Sequence, residues 1–458
     1  MTQTDKTEES PIFSHFIGEE SPIFPPNARE SPAVTPNEQS TDQWSTKDRR
    51  KVPNITKRQK ISWQRTNDKK WDMFDNDLDI ILQTTLQGRV ERKINILTTL
   101  VYSLGLEQFG TDEKESQPKP APYPNRRERE KKKVREELNS LIKRYKKANE
   151  FIKTLLGEER GGSLQSDQEE VAQYLREVHS NPEGAQPLGD CDKITPADHP
   201  QFPLDLKEPT LQEVRYVVNK ARACSAPGPS SIPYKVYKKF PKLLRRRWLL
   251  LRAVWKKGSV PECWQAAEVY FAPKKKHLKN VKQFRNISLL SVEGKIFFSI
   301  LARRLSIYMT TNTYIDTSVQ KVGIPGFSGC VEHTSALTQL LYEARINKMN
   351  LTIVWLDLAN AYGFIPHQLI QEALQHYHVP EHARSLIRSY YSNIHLRFSC
   401  KSFTTSSSLK KGIVTGCSIF VIRFVMGMNM ILRVGERETR GPLTNTGIRL
   451  TSKQMIHG

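Results

Sequence analysis

The sequence predicts an α+β domain over residues 210–458, preceded by helical and disordered regions. Three observations carry that expectation. The opening is too rich in Pro, Ser, Thr and Glu to bury a core. Two middle segments repeat apolar residues at helical spacing. After Thr210, short β-branched runs alternate with helix-length stretches.

Residues 1–65 form a basic, Ser-Pro-rich tail in which Glu9-Ser-Pro-Ile-Phe13 returns as Glu20-Ser-Pro-Ile-Phe24 and, in part, as Glu30-Ser-Pro-Ala33. Such a stretch buries too little to offset its ordering entropy, so disorder is expected. The repeats read as drift in a low-complexity tail or as docking motifs. Lys47-Asp-Arg-Arg-Lys51 and Lys57-Arg-Gln-Lys60 resemble a bipartite nuclear-import signal, although basic pairs are common in disordered tails.

The helical segment 66–112 comes in two pieces, with Leu78, Ile81, Leu82, Thr85 and Leu86 on one face and Ile94, Leu97, Val101 and Leu104 on another. A helical pair packing on itself is expected. Residues 113–125 form a linker through Pro118 and Pro124. Residues 126–160 read as a long basic amphipathic helix striped by Val134, Leu138, Leu141, Ile142, Tyr145, Ala148 and Ile152. Its Lys/Arg face suits a solvated surface or a nucleic-acid backbone. A second linker, 161–209, holds a short helix around Glu169–Val178, and Thr210-Leu-Gln-Glu213 is a capping box that opens the packed domain with Val214, Val217, Val218 and Ala221 inward.

The net charge of +22 calls for a polyanionic partner, and counterion release makes nucleic acid the natural one. No run reaches the roughly 18 apolar residues of a membrane span, nor does the start carry a secretory core, so an intracellular protein without a membrane partner is expected. The six cysteines lack a C-x-x-C, which argues against zinc and against a disulfide framework.

The segment Trp355-Leu-Asp-Leu-Ala-Asn-Ala-Tyr-Gly-Phe-Ile-Pro-His367 is the most chemical. Thr352-Ile-Val-Trp-Leu356 reads as a buried strand delivering Asp357 to a sheet edge, with a helix from Gln368 to His376 behind Pro366. Joining nucleotides requires carboxylates that hold two metal ions about 4 Å apart. Asp357 alone does not make such a set.

Asp357-x-x-x-x-Tyr362 resembles the first catalytic motif of reverse transcriptases, specifically those of non-LTR retrotransposons. Other blocks resemble that family in its order. Ser225-Ala-Pro-Gly-Pro-Ser-Ser-Ile-Pro-Tyr234 matches a block at the base of the fingers, with Ser230 and Ser231 standing where the family usually has Asp-Gly. Val269-Tyr-Phe-Ala-Pro-Lys-Lys-Lys276 and Phe284-Arg-Asn-Ile-Ser-Leu-Leu290 match a pair of finger strands, Asn286 replacing a proline. Gln320-Lys-Val-Gly-Ile-Pro-Gly-Phe-Ser-Gly-Cys330 precedes a palm helix. Lys411-Gly-Ile-Val-Thr-Gly-Cys417 matches a glycine block in which Thr415 replaces the usual glutamine and Ser418 the usual proline.

The resemblance implies the fingers and partial palm of a right-hand polymerase over 210–458, incomplete and without a thumb. It implies that Lys274, Lys275 and Arg285 hold phosphates, that Tyr362 lies under the sugar, and that Gly416 lies beneath the nascent pair. Asp357 and the Leu358 carbonyl would face Mg²⁺, the ion that hard oxygen ligands and phosphates favour. RNA and DNA, as template and primer, are the implied partners. As alternatives to these roles, Gly412 and Gly416 read as turn residues and the lysines as a solvated loop. The family's closing x-Asp-Asp hairpin is not found before Gly458, so a fragment or pseudoenzyme is expected, inactive as a polymerase. The alternative is a non-catalytic RNA-binding protein that keeps a partial polymerase fold. Arg423, inside Ile419-Phe-Val-Ile-Arg-Phe-Val-Met426, predicts either an exposed helix face or a damaged core.

Overall fold

The computed structural model describes residues 58–63, 68–111, 164–182, 184, 188, 194–223, 225–274, 280–317, 320, 324, 330–353, 361–399 and 403–438. All belong to one unit, Ile55–Gly458. The Ser-Pro tail up to residue 57 and the long basic helix expected over 126–160 lie outside the described residues.

The two-piece helical pattern becomes α1 (Asp68–Thr85) and α2 (Val90–Phe109). The pair does not pack only on itself. Both helices lie against α6 (Pro241–Lys257), which follows the short α5 (Tyr234–Lys239). Trp71, Phe74, Phe109 and Phe240 form the joint, with ring centroids 4.8 Å apart for Phe74–Phe240 and 5.0 Å for Trp71–Phe240. Sequence spacing cannot give this, because a helix face marked apolar does not say what covers it. Asp75 seals the joint: its carboxylate accepts from the N–H groups of Lys242 and Leu243 at 2.9 and 3.0 Å. α6 opens on Pro241 without a side-chain cap of its own, so α1 supplies the acceptor its first turn lacks.

α3 (Gln168–His179) is N-capped by Asp167, which accepts from the Glu170 N–H at 2.8 Å. α4 (Leu211–Lys220) starts on the expected capping box, with Thr210 Oγ1 accepting from Glu213 N–H at 3.1 Å while Glu213 accepts from Thr210 N–H at 2.8 Å. Val214 and Val218 are buried, and Val217 and Ala221 pack partly buried against the core.

The sheet has the order β2-β1-β3-β4, built from β1 (Ala266–Pro273), β2 (Phe284–Leu290), β3 (His395–Ser399) and β4 (Thr404–Ser408). β1 pairs antiparallel with β2 and parallel with β3, and β3 pairs antiparallel with β4. Between and after the strands come α7 (Val292–Thr311), α8 (Cys330–Ile346), α9 (Ala361–Phe364), α10 (His367–His376), α11 (Glu381–Tyr391) and α12 (Phe420–Glu438). α10 realises the helix expected behind Pro366. Of the expected strand before Asp357, Thr352 and Ile353 carry no strand pairing, and residues 354–360 lie outside the described residues.

One polar knot crosses the core. Tyr237 donates to Glu293 Oε1 at 2.6 Å and Arg247 Nη2 donates to the same oxygen at 3.2 Å, all three residues being buried. It ties α5, α6 and α7 together. No helix of the described residues is long and apolar enough to cross a membrane.

Candidate functional site

The finger strands form an antiparallel hairpin in which Ala272 faces Arg285 and Pro273 faces Phe284. Lys274, one residue beyond β1, and Arg285, second in β2, therefore stand at the same open end. The connection is held at its base: Lys274 N–H donates to the Gln283 carbonyl and Lys274 Nζ to the Lys282 carbonyl, each at 3.1 Å. Both side chains are exposed, and Arg285 has no carboxylate partner among the described residues. Such an end suits an anion, Arg as a planar fork and Lys as a point charge. Lys275 lies outside the described residues.

The glycine block Lys411–Cys417 runs between this hairpin and the segment that follows Asp357. On one side, Gly412 N–H donates to the Ile365 carbonyl at 2.8 Å and Ile413 N–H to the Tyr362 carbonyl at 2.7 Å. On the other, Thr415 Oγ1 donates to the Asn286 carbonyl of β2 at 3.2 Å. The two glycines are not interchangeable with other turn residues. Gly412 has φ +84° and a Cβ there would sit 2.5 Å from the Gly363 carbonyl oxygen. Gly416 has φ +93° and a Cβ would sit 2.6 Å from that of Ser288. Backbone approaches backbone at both, and only a residue without a side chain allows it.

Tyr362 is half-buried and edge-on to two rings, Phe420 at 5.3 Å and Phe424 at 4.7 Å between centroids. Burial raises its phenol above the ordinary value. The ring is thus fixed by the first turns of α12, whose start is set by the glycine block. His367, to which the sequence assigned no role, completes the clamp by donating its Nε2–H to the Gly412 carbonyl at 2.7 Å. Burial, with the nearby Arg423 charge, lowers its pKa to about 4, so the ring is neutral at pH 7 and keeps that proton. Nothing in residue spacing marks it, since its partner lies 45 positions away.

The structure thus brings together Tyr362, Gly416 and β2, with Arg285 adjacent to the strand residue that Thr415 touches, and with Lys274 at the hairpin end. Asp357 and Leu358 lie outside the described residues. Among the described residues no group of three His, Cys, Asp or Glu side chains could hold a metal ion. A single aspartate with a backbone carbonyl does not fit a two-metal centre.

Of the two expectations for Arg423, the exposed helix face does not hold. It is fully buried in α12, its guanidinium 3.5 Å from the centroid of the Tyr391 ring. Cys417 is also buried, and free.

Residues 272–437 match the reverse transcriptase (RNA-dependent DNA polymerase) family. The chain is 24% identical over 284 residues to the retrovirus-related Pol polyprotein from type-2 retrotransposable element R2DM of Drosophila melanogaster, covering 62% of this chain and 26% of that protein. It is 24% identical over 282 residues to the transposon TX1 uncharacterized 149 kDa protein of Xenopus laevis, covering 60% and 21%. A third relative, the Pol polyprotein from type-1 retrotransposable element R2 of Bradysia coprophila, is 24% identical over 195 residues, 43% and 22%. The chain spans about a quarter of the length of these curated relatives.

Proposed function

From the premise that this chain carries a reverse transcriptase domain of the non-LTR retrotransposon kind, we propose that its fingers hairpin and glycine block bind a nucleoside triphosphate against a template–primer. The observation that carries the reading is the approach of Gly416 to the Ser288 carbonyl. Gly416 is exposed there, and with no side chain it leaves room beside β2 for a base pair to come against the backbone.

In this reading Lys274, Lys275 and Arg285 hold the phosphates, and Tyr362, wedged on Phe420 and Phe424, lies under the sugar. Asp357 and the Leu358 carbonyl would supply two of the oxygen ligands of one Mg²⁺, which would offset phosphate charge, but not a second metal. The polypeptide of residues 1–458, taken by itself, offers one assigned carboxylate where two metals need several, so it binds without extending a primer. The second reading, an RNA-binding protein that retains a partial polymerase fold, is supported by the net charge of +22, which suits a polyanion with or without catalysis.

Photo-labelling with an azido-nucleoside triphosphate tests the site. Labelling should map to the 269–290 hairpin and fall in Arg285→Ala. Unchanged labelling in that variant removes the reading. Primer extension separates the two forms: synthesis on an RNA template that Asp357→Ala abolishes would show the polypeptide to be catalytic.

A further inference from the structure

We infer that the outer face of α4 and α7, centred on Tyr216, is a second contact for single-stranded nucleic acid, apart from the cleft at Tyr362 and Gly416. The inference rests on the nucleic-acid reading above.

Tyr216 is 46% exposed. An exposed ring is ordinary, but this one is flanked by cations: the Arg303 guanidinium lies 4.6 Å from its centroid and Lys220 Nζ 5.8 Å. Arg215, also exposed, adjoins it in α4. Arg303 stands on the narrow stripe that α7 leaves open, with Ile307, 49% exposed, one turn on.

The acids of these helices are already committed. Glu213, the only one in α4, accepts from Arg304 at 2.8–2.9 Å and closes the capping box. Glu293, the only one in α7, is buried with Arg247 and Tyr237. Arg215, Lys220 and Arg303 therefore have no carboxylate partner among the described residues. A purely solvated face would need neither the ring nor its fixed orientation. Cations around an aromatic platform are what a single strand requires: phosphates neutralised by the first, a splayed base stacked on the second. Arg303 lies roughly 16 Å along α7 from the helix start at β2, at 1.5 Å per residue.

The test is fluorescence anisotropy of a labelled oligouridylate with the full chain at several salt concentrations. Arg215→Ala with Arg303→Ala should weaken binding at least several-fold and flatten the salt slope by about 1.4, two phosphate contacts at roughly 0.7 each. Tyr216→Ala should cost about five- to a hundredfold with the slope unchanged, the range for one stacked base, and Tyr216→Phe should restore affinity. Wild-type affinity and slope in the double variant overturn the inference, as does equal competition by a duplex. Nucleotide labelling at the hairpin is read separately, so failure here leaves the cleft reading standing. Loss of labelling only in Arg285→Ala, with oligouridylate binding lost only in the patch variants, supports both.

Discussion

The guanidinium of Arg423 lies 3.5 Å from the centroid of the Tyr391 ring, face to cation, and none of its three nitrogens has a hydrogen-bond partner among the described residues. The Tyr391 hydroxyl has none either. A ring face offers about 2 kcal/mol to a desolvated cation, less than the several kcal/mol lost in burying it. Arg423 is the cost this core carries. Arg423→Leu should therefore raise the stability of the chain by about 1–4 kcal/mol. Urea unfolding measures it, and a lower midpoint for the variant would mean that Arg423 is compensated.

The same charge bears on His367. With Arg423 removed, the imidazole loses one of the two influences that depress it, burial being the larger. Its pKa should rise from about 4 part of the way toward 6.5 in Arg423→Leu. A histidine NMR titration reads this directly, and an unmoved value would place the charge elsewhere than beside the ring.

His179 predicts the acid limb of stability. Its ring stacks on Phe398, Nδ1 lies 3.2 Å from Ser407 Oγ, and burial lowers the pKa from 6.5 to about 4. A folded-state value below the unfolded one means that the unfolded chain binds the extra proton. The contribution is complete above pH 6.5 and is lost as pH falls toward 4, by up to about 3 kcal/mol. His367 acts in the same direction. Unfolding free energies measured from pH 7 to pH 4 should fall, and His179→Leu should flatten the curve.

Local signals in the sequence were the legible ones. The Thr210–Glu213 box and the two pieces of the α1–α2 segment are set by residues within a few positions of one another, and each stands where its spacing placed it, while the β1–β2 pair was legible only through the family resemblance. The parallel pairing of Ala266–Val269 with His395–Phe398 was not legible, because register across such a separation depends on packing rather than period. Neither was β4, Thr404-Thr-Ser-Ser-Ser408, which has no apolar alternation and owes its place to β3 and to α3 above it. At the site, residue types at Arg285, Tyr362 and Gly416 could be read from motifs. The clamp through His367 could not, since a histidine donating to a distant carbonyl leaves no pattern.

Ser231 occupies a position that resembles a family glycine and keeps the glycine conformation, φ +58°, with its N–H donating to the Gly228 carbonyl at 2.9 Å. A left-handed serine costs roughly 1 kcal/mol relative to glycine. Ser231→Gly should accordingly stabilise the chain by about that amount, against the entropy that glycine restores to the unfolded state. Thermal unfolding measures it, and a lower midpoint for the glycine variant would mean that the left-handed serine carries no net strain.

The knot at Glu293 should be the most sensitive point outside the cleft. Its Oε1 receives both the Tyr237 hydroxyl and Arg247 Nη2 in a site closed to solvent. Glu293→Leu leaves the Arg247 cation buried and unpaired, with an expected loss of about 3–5 kcal/mol. Tyr237→Phe removes one neutral donor and should cost roughly 1–3 kcal/mol. The ordering of the two midpoints in urea is the check, and equal losses would mean that the cation is not what the acid holds.

Gly416→Ala joins the fold to the proposed chemistry. At φ +93° an alanine is strained by itself, and its Cβ, 2.6 Å from the Ser288 carbonyl, must push β2 away from the glycine block. Arg285 rides on that strand three positions before Ser288, so the displacement reaches the phosphate-binding end of the hairpin. The Thr415–Asn286 bond, one residue from the glycine, should break with it. Thr415→Val supplies the control: it removes the same bond, worth about 1 kcal/mol, without moving the backbone. Nucleotide labelling at the hairpin should therefore fall in Gly416→Ala and survive in Thr415→Val at matched folded fraction. Equal labelling in the two variants would show that the close approach at Gly416 serves packing alone.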